Sequence, residues 1–540
     1  MAELDRSNSH ERLIAFLESP GSHPHRPAEV RLMQTHISWV FIAPPFVFKV
    51  KKPVNFGFLD FCTLEKRRHF CQREVDLNRR LCPEVYLAVV PIYKSGSGFS
   101  FRAEGEIAEY SVKMRELPHG WFLSELLAKG LVGEKEIDRV ISRLHRFYQS
   151  ETPSAEVEQW GTPEKLKIST DENFVQVEPF IGRTISPLAF ETVRHFTNQF
   201  YAANEKLFCE RIEQHRILDC HGDLHLDHVH LSPEATTIFD CIEFNDRFRF
   251  LDIANDLAFL AMDFDFEGRS DLGNLLLRNA AREFHDAGML KVTNFYKCYR
   301  AFVRGKVESI QAMEKETTNP QEHEKQAARY FRLALRYAVT GSEPLLLVVM
   351  GRIGTGKTTV AKQLASELDW PVFSSDEIRK TFAGIPLTRR SPPELRNKIY
   401  SVEMTQRTYR KLLEDGFAAL DTSNGFVLDA TFSTRAIRKF LRDECKKAKV
   451  LFQIVELDAD RGEIKKRLRA RDEKAEETSD ARLEDFEKLN AAYQPPSELA
   501  SDLISVTTTS FVSDTVKAIL LRLTEKQSVV ANNVRSLEAG

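Results

Sequence analysis

Apolar and polar positions alternate in two short runs near the start of the chain, Ile37-Ser38-Trp39-Val40-Phe41 and Phe46-Val47-Phe48-Lys49-Val50-Lys51, separated by a pair of prolines. A period of two predicts the strands of a hairpin and places Lys49 and Lys51 on one face. A helical pattern from about Thr63 to Leu81 carries Glu74, and further strands are expected at Val85 to Tyr93 and Ala108 to Met114, giving a small sheet with one helix. Before it, residues 1 to 30 offer a short amphipathic helix and the loop SPGSHPHRP, whose histidines are expected in solvent. After it, Trp121 to Tyr148 and Ser186 to Leu207 turn helical and predict an α-rich lobe. A helical stretch enclosing the charged segment MEKETTNPQEHEKQ continues to about Val339.

The pattern changes at Leu345. Six apolar residues read as a fully buried strand, and later strands are expected at Pro371 to Phe373, Gly425 to Asp429, Val450 to Leu457 and Asp502 to Val506, alternating with helices. Crossover connections make such a sheet parallel and set its working residues at the carboxyl ends of the strands. The expected organisation is a two-domain α/β chain: residues 1–339, a linker at 340–344, a three-layer α/β/α domain at 345–525, and a polar, frayed tail at 526–540.

Composition narrows this further. With 42% hydrophobic and 29% charged residues the chain has a globular composition, and a net charge of -3 argues against a constitutive nucleic-acid binder. The eight cysteines form no CxxC pair and no zinc spacing, as in a reduced, cytoplasmic protein. The N-terminal residues mix charge with apolar positions, so no signal peptide is expected, and no run is long enough for a membrane span.

The sharpest chemical signal follows the first strand of the second domain. Gly351, Gly356, Lys357 and Thr358 complete the pattern G-x-x-x-x-G-K-[ST], and Val360, Leu364, Ala365 and Leu368 continue it as a helix. Glycines let the backbone curl so that the amides from Gly351 through Arg352, Ile353, Gly354, Thr355 and Gly356 to Thr359 can cradle phosphate. Lys357 reaches the β- and γ-phosphates and the Thr358 hydroxyl is placed for Mg²⁺. At later strand ends, Asp376 is placed to accept a hydroxyl proton, Arg379 to hold an anionic group and Asp429 to hold Mg²⁺ through Thr358 or water. Ser374 with Glu377 is equally a capping box that only starts a helix. Arg467 and Arg471, one turn apart in EIKKRLRARD, could close over the γ-phosphate or simply form a solvated helix face.

A second informative stretch is CHGDLHLDHVHL, Cys220 to Leu231, followed by the apolar strand that leads to Asp240. In order and separation these residues resemble the HGDLHxxN loop and later I-D-F motif of aminoglycoside phosphotransferase-like kinases, relatives of the protein kinases, over roughly residues 30 to 310. The resemblance implies a bilobal (α+β) protein-kinase-like fold, with Asp223 as base, His221 shaping the loop, and Asp240 as the principal Mg²⁺ ligand. It further implies that Asp252 and Asp256 are structural, that Lys49 pairs with ATP phosphates and Glu74, and that Met114 to Leu117 form the hinge to adenine. Lys51 is nearly as good a candidate as Lys49. His228 stands where the pattern has Asn, and imidazole is a poorer Mg²⁺ ligand than an oxygen donor. The turn APP also lacks the glycines of a nucleotide flap. His225 and His230 are expected to be packed or hydrogen-bonded. Residues 343 to 525 resemble small P-loop kinases of the gluconate kinase, polynucleotide kinase and zeta-toxin kind. The whole chain resembles bacterial proteins described as bifunctional aminoglycoside phosphotransferase/ATP-binding protein.

Together these readings lead to an expected enzyme using ATP and Mg²⁺ at two sites to phosphorylate a hydroxyl of a small-molecule acceptor, with no membrane or nucleic-acid partner. The acceptor and the oligomeric state are left open. Two alternatives stand beside it: a P-loop enzyme with a pseudokinase-like ligand-sensing N-terminal domain, and a nucleic-acid 5′-end kinase.

Overall fold

The computed structural model describes the chain apart from residues 1, 97, 315, 316, 318, 474–478, 500–502, 510 and 530–540. Contacts divide it into two units, one of Met1–Glu172 with Glu205–Arg300, the other of Asn173–Asn204 with Ala301–Gly540. The expected linker at 340–344 lies inside the second unit. The expected tail from residue 530 and the strand start at Asp502 lie outside the described residues. Residues 526–528 close the helix Val512–Ser528.

In the first unit, strands β1 (Arg31–Gln34), β2 (Ser38–Ala43), β3 (Phe46–Lys51), β4 (Tyr86–Ser95), β5 (Gly98–Ser100) and β6 (Glu106–Arg115) form one antiparallel sheet in the order β1-β2-β3-β6-β4-β5. The alternation in β3 decides its two faces. Phe48 and Val50 pack with Trp39, Phe41, Ile92 and the N-terminal helix residues Leu13 and Leu17. On the other face lies the helix Leu64–Asn78, whose Cys71 and Val75 pack with Tyr86, Val112 and Met114. Thr63 caps that helix by accepting from the Lys66 amide. His23 is buried, bonded to the Leu17 carbonyl at 2.8 Å and 5.0 Å from the Phe48 ring, and His25 reaches the Ala43 carbonyl at 2.9 Å. The expectation of solvated histidines is therefore corrected: aromatic neighbours fold the proline-rich loop inward.

Below the sheet, β7 (Ile217–Asp219) pairs with β10 (Phe250–Asp252), and β8 (Val229–Leu231) pairs with β9 (Thr236–Ile238), both antiparallel. These two-stranded ribbons fix the ends of the Cys220–His228 and Phe239–Phe244 loops. The helix Ile253–Phe266 is buried nearly throughout and anchors them from behind.

In the second unit, β11 (Leu345–Gly351), β12 (Val372–Ser374), β13 (Gly425–Asp429), β14 (Leu451–Asp458) and β15 (Leu503–Thr507) form a wholly parallel sheet in the order β12-β13-β11-β14-β15. All seven residues of the central strand β11 are buried, as a strand covered on both faces requires. The helix Lys357–Leu368 buries Val360, Ala361, Leu364, Ala365 and Leu368, the stripe its spacing predicts. Around this sheet, the Asn204 side-chain amide donates to the Ser528 carbonyl at 2.7 Å, and Phe302 meets Phe331 edge to face at 5.2 Å.

Candidate active sites

In the first unit Lys49 and Lys51 lie with Val47 on the face of β3 turned to the helix Leu64–Asn78. Both meet the fully buried Glu74: Lys49 Nζ is 2.9 Å from Oε1 and Lys51 Nζ 2.6 Å from Oε2. Each ammonium has a second carboxylate, Asp240 Oδ1 at 2.6 Å for Lys49 and Glu243 for Lys51. The result is a row, Asp240–Lys49–Glu74–Lys51–Glu243, of three carboxylates and two ammonium groups. Burial opposes the charge on Lys49, but Asp240, Glu74 and Glu243 prevail and raise its pKa well above the ordinary lysine value. Burial also opposes the charge on Asp240, yet Lys49 and His228 hold its carboxyl well below the usual range. Glu243, the odd carboxylate, is pushed up by burial and by Glu74. Of the two lysines left open by periodicity, both reach Glu74 and Lys49 also reaches Asp240.

Asp240 follows β9 by two residues in a left-handed backbone, φ 63°, sparsely populated outside glycine. Its amide donates to the Tyr86 hydroxyl at 3.2 Å, and the Cys241 amide to Asn78 Oδ1 at 2.8 Å, so β4 and the Glu74 helix hold the turn. The other loop is gripped from the first turn of the helix Ile253–Phe266. Asp256 accepts from the amides of His221 and Gly222 and from the Tyr148 hydroxyl, each at 2.9 Å. Asp252 caps that helix and takes Arg211 through two bonds of 2.8 and 2.6 Å. Both aspartates have the structural positions expected of them. His221 Nε2 bonds the Phe239 carbonyl at 2.8 Å, tying the loops together.

These supports bring Asp223 and Asp240 around His228. His228 Nδ1 is 2.9 Å from the Asp223 carbonyl oxygen, and its Nε2 is 3.5 Å from Asp240 Oδ2. His225 Nδ1 accepts the Asp227 amide at 3.3 Å, while its Nε2 lies 3.7 Å from Asp223 Oδ2. His230 is buried and bonds the Pro118 carbonyl at 3.0 Å. At the expected hinge, Met114 is buried and the Glu116 amide donates to the Pro45 carbonyl at 3.0 Å, joining Met114 to Leu117 to the hairpin turn.

In the second unit Gly351, which ends β11, and Gly354 and Gly356 of the loop after it all have positive φ. A Cβ on Gly351 would lie 2.3 Å from the Leu457 carbonyl oxygen, so the close strand approach excludes any other residue there. Among the described residues no carbonyl accepts from the amides of Gly354, Thr355, Gly356, Lys357, Thr358 or Thr359. Amides left open at a helix start fit a polyphosphate. Lys357 Nζ, partly buried, donates to the Arg352 carbonyl at 2.9 Å, and Thr355 Oγ1 to the same oxygen at 2.8 Å. Burial lowers the Lys357 pKa; Asp429 and Asp376 oppose this, and Arg471 adds to it. Asp429, Asp376 and Arg471 thus all act on Lys357. Ile353 is buried against Ile464 and Leu468 of the helix Arg461–Asp472.

Thr358 Oγ1 donates to Asp429 Oδ2 at 2.6 Å. Asp429 is buried at the end of β13, and burial raises its pKa against the pull of Thr358 and Lys357. Ser374 makes no side-chain cap for the helix Ser375–Ala383, so the capping box is not formed; its hydroxyl instead favours the charged form of Asp429. Arg379 is buried, donates to the Ile399 carbonyl at 2.7 Å and lies 4.7 Å from the Tyr400 ring. Arg467 donates to Thr508 Oγ1 at 3.0 Å, with its Nη1 3.7 Å from the place a Cβ on Gly356 would take. It borders the loop without being a plain solvated residue.

Several supporting groups carry no local sequence signal. Tyr86, Asn78, Tyr148 and Thr508 act through contacts between distant segments. Glu243 was findable: it is a carboxylate inside the apolar run Cys241 to Phe244, opposite a strand face with one lysine more than Glu74 needs.

Residues 346–496 match the AAA domain family AAA_33. Among solved structures, the chain is similar to a gluconokinase from Sinorhizobium meliloti 1021, at 19% identity over 33% of this chain and 91% of that one, TM-score 0.25. It is also similar to a choline kinase from Cryptosporidium parvum Iowa II, at 10% identity over 60% and 94%, TM-score 0.37. Among sequences, the uncharacterized proteins Rv2004c of Mycobacterium tuberculosis (strain ATCC 25618 / H37Rv) and Mb2027c of Mycobacterium bovis are each 30% identical over 413 residues, 76% of this chain and 80% of theirs. With its P-loop domain in the C-terminal part, the chain belongs to the family of these mycobacterial proteins.

Proposed function

We propose that the protein is an ATP-dependent phosphotransferase that moves the γ-phosphoryl group to a hydroxyl of a small molecule, with a candidate nucleotide site in each unit. The observation that carries this reading is the convergence of Lys357, Thr358, Asp376 and Asp429 at the carboxyl ends of parallel strands. Mg²⁺-ATP, when bound, supplies the transferable group and neutralises its charge. The loop amides and Lys357 orient the phosphates, and Thr358 with Asp429 would hold the ion. Asp376 takes the acceptor's proton, while Arg467 and Arg471 exclude water and stabilise charge on the transferred group. In the first unit Asp223 plays the part of Asp376, Lys49 that of Lys357, and Asp240 would hold the ion, with Glu74 keeping Lys49 in place.

Single substitutions test the two sites separately. Lys357→Ala and Asp223→Ala are assayed for ADP formation over sugars, nucleosides and aminoglycosides. Each is expected to abolish phosphorylation of its own acceptors by about a hundredfold or more. If neither lowers turnover of any accepted substrate, the reading is lost. His228 favours a second reading of the first unit, as a nucleotide sensor without turnover. In that case Asp223→Ala leaves every rate unchanged while Lys49→Ala weakens nucleotide binding.

A further inference from the structure

His228 is fixed in one tautomer by its surroundings. The Asp223 carbonyl oxygen, 2.9 Å from Nδ1, can only accept, so a proton lies on Nδ1 and the neutral imidazole carries its lone pair on Nε2. That lone pair faces Asp240 Oδ2, itself an acceptor, at 3.5 Å. In the neutral imidazole two acceptors then face each other, and the gap suits a cation: a proton on Nε2, or a metal ion in its place. Ligand atoms bound about 2.0–2.2 Å from one ion stand roughly 3–3.5 Å apart, so this pair can coordinate without rearrangement. The other oxygen of Asp240 is taken by Lys49 at 2.6 Å, leaving Oδ2 for the ion. The buried row also has one more carboxylate than ammonium groups, which a cation at its Asp240 end would offset.

We infer that His228 Nε2 and Asp240 Oδ2 form a mixed nitrogen–oxygen ligand pair for a borderline divalent ion of the Mn²⁺, Co²⁺ and Zn²⁺ class, making the nucleotide site of the first unit selective against Mg²⁺. Mg²⁺ favours an all-oxygen shell, whereas imidazole suits the later ions. His225 is oriented differently: its Nδ1 accepts the Asp227 amide, which turns an N–H toward Asp223. This inference rests on the nucleotide-site reading of that unit given above.

The experiment uses the full-length Lys357→Ala protein, in which the P-loop site is disabled, with Mn²⁺ and a non-hydrolysable ATP analogue. Electron spin-echo modulation is expected to show a directly bound imidazole nitrogen, with Mg²⁺ displacing Mn²⁺ only at about tenfold or greater excess. Adding His228→Asn is expected to remove the nitrogen signal and shift the Mn²⁺/Mg²⁺ preference about tenfold toward Mg²⁺. A nitrogen signal that survives His228→Asn, or Mg²⁺ competing at equal concentration, would overturn the inference while leaving the nucleotide site intact. Failure of the Lys357→Ala protein to bind the analogue with either ion overturns both the inference and the reading beneath it.

Discussion

Thr358 Oγ1 donates to Asp429 Oδ2 across 2.6 Å, joining the first turn of the phosphate-loop helix to the end of the neighbouring strand. The bond holds the hydroxyl and carboxylate side by side and keeps a buried charge where burial disfavours it. A site arranged in this way trades stability for function. Asp429→Asn is therefore expected to lower kcat by about a hundredfold or more while raising the Tm of the second unit by a few degrees, roughly 1 kcal/mol. ADP formation and thermal unfolding of one preparation check both halves. Unchanged turnover, or a lowered Tm, counts against this account.

The same group sets a pH dependence. Its folded pKa is raised above the unfolded carboxylate value, so the folded state holds the proton more tightly. Its contribution is fully present below the unfolded value, about 3.9, and is lost as pH rises through the folded one. Asp240 and Glu74 act in the opposite sense. Their pKa values are lowered, so their contribution is present above the unfolded carboxylate range and lost as pH falls through the folded values. Urea midpoints between pH 3 and 7 should thus fall more steeply toward acid for the wild type than for Asp240→Asn.

Lys51 has no exposed surface and serves two buried carboxylates, whereas the Asp240 side chain beside Lys49 is 33% exposed. Removing one partner of a buried pair costs about 3–5 kcal/mol. Lys51→Met is expected to fall in that range and Lys49→Met below it, measured by urea unfolding. Lys51→Met combined with Glu243→Gln should recover part of the loss, because one of the stranded charges is gone.

What was legible in the sequence divides along physical lines. The parallel sheet, its helix stripe and the phosphate loop are local patterns with strong periodicity, and β11, β13 and the helix Lys357–Leu368 fall where Leu345, Gly425 and Val360 place them. The lysine face of β3 followed from a period of two. Strands β1 and β5 were missed because they are short edge strands whose four and three residues carry no alternation. The burial of His23 depends on Phe48 and Phe101, distant in sequence. The capping box expected of Ser374 and Glu377 does not form, because Ser374 makes no side-chain cap bond. Loops tied by Asp256 to Tyr148 likewise have no signature within a sequence window.

The grip on the Asp223 loop offers a separate test. Asp256 is fully buried and satisfies two amides and a hydroxyl. Asp256→Ala leaves all three donors without an acceptor and is expected to cost about 3 kcal/mol or more. Asp256→Asn keeps one acceptor and should cost less, yet its amide nitrogen must face a donor. A cost below about 1 kcal/mol for the alanine variant in urea unfolding would show that these bonds do not hold the loop.

The phosphate loop separates two ways in which glycine can be required. At Gly351 a Cβ would meet the Leu457 carbonyl oxygen at 2.3 Å, so Gly351→Ala must push β11 and β14 apart. At Gly356 the nearest neighbour of a Cβ is the flexible end of Arg467, 3.7 Å away, and the penalty is the left-handed backbone alone. Gly356→Ala is then expected to cost about 1–2 kcal/mol and leave a folded unit with weakened ATP binding. Gly351→Ala is expected to cost more than about 3 kcal/mol, because backbone on backbone cannot yield as a side chain does. Urea unfolding of the two variants side by side decides the point, and equal costs would mean that backbone conformation, not strand contact, selects both glycines.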